Sequence, residues 1–170
     1  MPWSIREERP EDIPAIRRVN EEAFGQPLEA RLVDELRANG GIILSLVALV
    51  DDVIVGHLLF SPVRLGTGSD EMTGVGLGPM AVLPEYQRKG IGSRLIREGI
   101  QRIREGGSPF IVVLGHAEYY PRFGFVPASR YGVRCLWEVP DDVFMILPLD
   151  SSRFPGVAGI AYYRDEFAEV

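Results

Sequence analysis

The sequence predicts an α/β or α+β domain built on a mixed sheet, and three observations carry that expectation. Two apolar runs flank an Asp51-Asp52 turn, a strand-loop-helix-strand unit occupies residues 73–114, and amphipathic helical stripes precede both.

The elements follow in chain order. Residues 3–5 suit a first strand, and Pro10, Glu11 and Asp12 suit a helix start, because proline fixes φ and carboxylates favour the positive end of a helix. Ile13, Ile16, Val19, Ala23 and Phe24 keep helical spacing until Gly25 and Pro27 break the run. Leu28, Leu32, Val33 and Leu36 form a second stripe, ended by Gly40 and Gly41. Residues 43–50 and 53–63 read as antiparallel strands of a hairpin, followed by a turn over 67–70. Residues 73–82, TGVGLGPMAV, read as a third long strand, in which Gly74, Gly76, Gly78 and Pro79 predict a bulge or a close backbone approach. Ile91, Leu95, Ile96, Ile100 and Ile103 share one helical face, with Arg94, Arg97, Glu98, Gln101 and Arg104 largely on the other. The run FIVVL at 110–114 suits a central strand buried on both faces. A short helical piece over 117–123, a hairpin of 133–139 with 143–147, and one extended segment beyond Asp150 complete the chain.

Composition narrows the function classes. With 170 residues, 46% hydrophobic, the chain suits one domain spanning 1–170, with 151–170 as its C-terminal extension. A net charge of -6 argues against nonspecific nucleic-acid binding. The longest apolar stretch, 42–50, is interrupted by Ser45 and too short to span a bilayer, so no membrane partner is expected and the cytoplasm is the default compartment. Cys135 stands alone, which leaves no disulfide framework and no Cys-rich metal site, and no metal is expected.

Residues 84–96, PEYQRKGIGSRLI, depart from this acidic background. Over 84–104, six cations (Arg88, Lys89, Arg94, Arg97, Arg102, Arg104) face only Glu85 and Glu98. A strand that ends in a glycine-containing loop and enters a helix makes an anion site, because the first helical N–H groups lack intrahelical partners and the dipole adds positive charge. Gly90 and Gly92 remove Cβ atoms where a phosphate would approach. A dinucleotide GxGxxG fails at Leu95, and a Walker loop fails because Lys89 precedes Gly90. On these residues alone, a bare helix-initiating turn remains the alternative.

Gln87-Arg88-Lys89-Gly90-Ile91-Gly92 fits the Q/R-x-x-G-x-G/A pyrophosphate loop of the GNAT superfamily of N-acetyltransferases, and Tyr120 to Phe125, YPRFGF, fits its Y-x-x-x-G-F element. The chain resembles that superfamily over residues 77–125, and FGQPLEARLVDELR and VLGHAEYYPRFGF resemble a bacterial subgroup of predicted acetyltransferases. The resemblance implies a mostly antiparallel central sheet flanked by helices, with one strand splayed at the acetyl-CoA site. It implies acetyl-CoA as cosubstrate, with Met80, Ala81 and Val82 as main-chain contacts and Gln87, Arg88, Lys89, Gly90, Ile91, Gly92 and Ser93 around the pyrophosphate. Tyr120 is implied as the general acid that protonates the thiolate, while Tyr119 stands one register off the motif. The base stays open among His116, Glu85 and water; His57 lies in a strand without motif support. Gly115-His116-Ala117-Glu118 departs from the Asn and longer helix that many members carry there, which bears on the acceptor side.

The implied reaction is direct acetyl transfer to a primary amine in a ternary complex, with a non-catalytic acyl-CoA sensor as the alternative. Cys135 is remote from the motif and does not suit an acetyl-cysteine route. The acceptor, a small-molecule or protein amine, is expected between the opening helices and the C-terminal hairpin. Glu21, Glu22, Glu29, Asp34, Glu35 and Glu138 there either favour a cationic amine or are solvated surface charges. The oligomeric state, a homodimer included, stays open.

Overall fold

Asp51 and Asp52 take positive φ (49° and 64°), the conformation that a two-residue primed turn requires to match the twist of the strands it joins. The turn links β2 (Leu44–Val50) to β3 (Val53–Thr67) in the computed structural model, which describes residues 3–67, 70–150, 152 and 158–169. β1 (Trp3–Glu7) pairs antiparallel with β2, and β4 (Asp70–Val82) pairs antiparallel with β3 along its length. The expected turn at 67–70 falls partly on 68 and 69, outside the described residues. β5 (Phe110–Leu114) lies parallel to β4, and β8 (Phe144–Pro148) runs antiparallel to β5 with the short β6 (Val126–Pro127) on its far side. The resulting sheet is mixed and mostly antiparallel, in the order β1-β2-β3-β4-β5-β8-β6.

Helices cover both faces. α1 (Ile13–Phe24) and α2 (Leu28–Ala38) bury Ile16, Val19, Leu32, Val33 and Leu36, the stripes read from the sequence. α3 (Ile91–Glu105) buries Ile91, Leu95, Ile96, Ile100 and Ile103 on the opposite face of β3, where Leu58 and Phe60 pack against Gly99. Alternation carries β5 through two cores: Ile111 and Val113 join the cluster beneath the helices, while Phe110 and Val112 join a second cluster with Phe144, Ile146 and Tyr163.

The expected hairpin of 133–139 with 143–147 does not form. β7 (Val133–Cys135) instead lies parallel to β9 (Gly159–Tyr162), the extended segment of the C-terminal stretch, and β9 also pairs with β3. The physical reason is the run Phe144–Leu147. All four residues are buried, so the strand needs neighbours on both edges, and β5 and β6 provide them. Among the described residues no helix is long and apolar enough to cross a membrane.

His57 of β3 sits fully enclosed beneath α1. Asn20 Nδ2 donates to the Ile16 carbonyl (3.0 Å) and lies 3.2 Å from His57 Nδ1. On the other side, His57 Nε2 is 2.9 Å from Ser45 Oγ, which donates to Glu8 Oε1 at 2.5 Å, and Arg37 holds that carboxylate at 2.9 and 3.0 Å. With Asn20 donating, Nδ1 accepts and Nε2 carries the proton, so the imidazole is neutral. Burial pushes its pKa down from 6.5 to about 4, against the opposing pull of Glu8. The unfolded chain therefore binds a proton that the folded chain refuses, and stability falls as pH drops from 6.5 toward 4, by about 3 kcal/mol from this group. Urea titrations across that window are expected to show the midpoint falling with pH in the wild type and a flatter dependence in His57→Gln.

Candidate active site

Two strands part at the centre of the sheet. β4 pairs with β5 only through Val75, Gly76 and Leu77, whereas it stays on β3 as far as Val82. Leu58 pairs with Met80 and Phe60 with Leu77, so β4 carries one extra residue at Gly78-Pro79, the bulge expected from its composition. Beyond it the β5 side of β4 is an open edge. Leu83 N–H donates to the Val55 carbonyl at 2.9 Å, and antiparallel alternation then turns the N–H and C=O groups of Ala81 toward β3 and those of Met80 and Val82 outward. The Val82 carbonyl is held by Gln87 Nε2 at 2.9 Å, which straps the following loop to the strand and leaves the Val82 amide facing the gap.

That loop ends at the first turn of α3. Gly90 sits before the helix with φ 88°, and no side chain caps it. Arg94 N–H makes the first helical bond, to the Gly90 carbonyl at 3.1 Å, so the amides just before it have no intrahelical acceptor. Nothing lies within 4 Å of where a Cβ at Gly90 would stand, and the preceding Arg88 also has positive φ (63°). These amides open on a cleft of about 630 Å³. Met80, Ala81, Val82, Gln87, Arg88, Gly90, Ile91, Gly92 and Ser93, the residues assigned to the cosubstrate by the resemblance, line it. Lys89 does not: its ammonium lies 5.8 Å over the Tyr86 ring. Tyr119 and Arg122 also line it, neither of them assigned to this cleft from the sequence. Tyr119 Oη is 3.0 Å from Ser93 Oγ, tying the turn after β5 to α3, and the Arg122 guanidinium stacks 5.4 Å from the Tyr119 ring. The signal for Arg122 was its place inside the YPRFGF motif.

A second cleft, of about 460 Å³, adjoins the first and shares Phe24, Met80 and His116 with it. Tyr120 lines this second cleft, 7% exposed, and burial pushes its hydroxyl up to about 12, helped by Tyr119. Its ring lies against Gly115, where a Cβ would come within 2.5 Å. His116, exposed beyond the end of β5, borders both clefts. Glu85 is exposed in the turn Pro84–Tyr86 and lines neither.

Residues 4–128 match the acetyltransferase (GNAT) domain. The chain belongs to the GNAT acetyltransferase family. It is 34% identical over 164 residues to the uncharacterized N-acetyltransferase YhbS of Escherichia coli, covering 96% of this chain and 97% of that one. The crystal structure of that GNAT protein in complex with CoA superposes with a TM-score of 0.91 at 34% identity, over 98% of this chain and 92% of that one. A GNAT acetyltransferase from Brucella melitensis in complex with acetyl-CoA gives a TM-score of 0.80 at 38% identity, with 98% of each chain covered. The mixed sheet and flanking helices are those of the GNAT fold.

The loop geometry makes a direct test of two neighbouring glycines. Gly90→Ala must adopt a left-handed backbone and is expected to destabilise the fold by about 1 kcal/mol. At Gly92, in the helix with its nearest neighbour at 3.4 Å, alanine is expected to be neutral or stabilising in the same urea titration.

Proposed function

We propose that this chain transfers the acetyl group of acetyl-CoA to a primary amine by direct attack in a ternary complex. The observation that carries the proposal is the meeting of two clefts at Phe24, Met80 and His116, beside the parted edge of β4. One cleft offers helix-start amides with Arg88 and Arg122, which suits a pyrophosphate, and an outward strand edge at Met80 and Val82, which suits the amide-bearing pantetheine arm. The residues present therefore fit acetyl-CoA, which the Brucella relative holds in its crystal structure. When bound, it supplies a thioester activated for attack by nitrogen.

The chain's own groups then have distinct tasks. The Val82 amide donates to the thioester carbonyl oxygen as negative charge builds there. His116 takes the proton that the amine loses as its nitrogen forms the C–N bond, directly or through a water. Tyr120 gives its proton to the sulfur as the C–S bond breaks. That phenol is protonated across the neutral range at its ordinary pKa and more so when buried, so the proton is in place when the thiolate leaves. Cys135 borders a separate hollow and burial pushes its thiol upward, which removes the case for an acyl-cysteine.

Tyr120→Phe is expected to lower kcat by about 10²-fold or more in thiol-release assays, with CoA affinity unchanged; full activity in that variant removes Tyr120 as the acid. Gly92→Glu puts a carboxylate at the anion-binding helix start and is expected to abolish CoA binding in calorimetry while circular dichroism stays native. Tight CoA binding without turnover on any amine would make the chain a sensor instead of an enzyme.

A further inference from the structure

The second cleft carries chemistry of its own. Five aromatic rings line it, from Phe24, Tyr120, Trp137, Tyr163 and Phe167. Three of these form a continuous wall: Trp137 and Tyr163 have ring centroids 5.3 Å apart, and Tyr163 and Phe167 5.2 Å apart. The Tyr163 hydroxyl in that wall is buried without a hydrogen-bond partner. Opposite in character stands Glu29 of α2, the one carboxylate among the described residues lining the cleft, which hold no lysine or arginine. Both Glu29 oxygens lie 3.1 Å from the Gln26 side-chain amide, a neutral donor that adds no positive charge, and among the described residues no ion pair holds Glu29.

These features select among amines. A cation is attracted by one carboxylate and by aromatic faces, and an apolar body fills the remaining wall. A polyamine would bring further positive charges that find no further carboxylate. A free amino acid would bring a carboxylate that finds Glu29 and no cation, so that its charge would be desolvated unpaired. A volume of about 460 Å³ suits a small molecule. We infer that the acceptor is a small arylalkyl monoamine without an acid group, its ring against Trp137 and Tyr163 and its ammonium drawn in by Glu29 before deprotonation at His116. This rests on the reading of the adjoining cleft as the acetyl-CoA site.

Calorimetry on the full chain saturated with CoA tests the inference with tryptamine, tryptophan, spermidine and hexylamine as probes. Tryptamine is expected to bind at least tenfold more tightly than each of the others. Trp137→Ala is expected to weaken tryptamine about tenfold or more with CoA affinity unchanged, and Glu29→Gln to weaken tryptamine while leaving the uncharged probe indole unaffected. Equal or tighter binding of spermidine or tryptophan overturns the inference, as does unchanged tryptamine affinity in either folded variant. Thiol release from acetyl-CoA with the same amines separates the two readings: tryptamine bound selectively but never acetylated sinks the enzymatic proposal and leaves the cleft's selectivity standing. Turnover that favours spermidine does the reverse.

Discussion

The parting of β4 from β5 after Leu77 is the constraint on which the rest depends. Backbone N–H and C=O groups inside a protein must be paired, and a strand that abandons a neighbour in mid-sheet leaves a row of them open. β4 tolerates this because its other edge stays bonded to β3 through Val82, with α1 and α3 packed on the two faces. One of the outward carbonyls, at Val82, is satisfied by Gln87. The gap is thus backed by a continuous ladder and packed helices, which is what a site for an extended, amide-bearing ligand needs.

Two adjacent tyrosines serve opposite sides of this gap. Tyr119 closes on Ser93 in the anion-binding cleft, while Tyr120 turns into the aromatic cleft and rests on Gly115. The division extends to charge. Arg88 and Arg122 line the first cleft, Glu29 the second, so neighbouring hollows carry opposite signs. His116 borders both.

The buried chain from Asn20 through His57 and Ser45 to Glu8 and Arg37 plays a different part. It joins α1, α2, β2 and β3 behind the site, and every link in it passes through a side chain from a different segment. Such networks specify one packing because a half-satisfied one is costly. In the sequence His57 was merely a histidine in a strand, since neither Asn20 nor Ser45 announces its partner.

Local patterns determined a good deal without tertiary help: the Asp51-Asp52 hairpin, the apolar stripes of three helices, an irregularity somewhere in residues 73–82 and the loop at Gln87–Gly92, because turn chemistry, side-chain period and helix-start amides are properties of a few consecutive residues. The resemblance carried by that loop and by YPRFGF likewise needed only short range. Alternation cannot name a strand's partner, however, which is why Phe144–Leu147 was given to 133–139 when burial on both edges required β5 and β6. The sequence pointed only broadly to the space between the opening helices and residues 133–147, and the lining of the second cleft was beyond it for the same reason. Phe24 and Glu29 flank the turn between α1 and α2, whereas Trp137 and Tyr163 come from two stretches far along the chain, and only the folded sheet, by parting β4 from β5 and returning residues 159–162 to β3 as β9, brings them to one cleft.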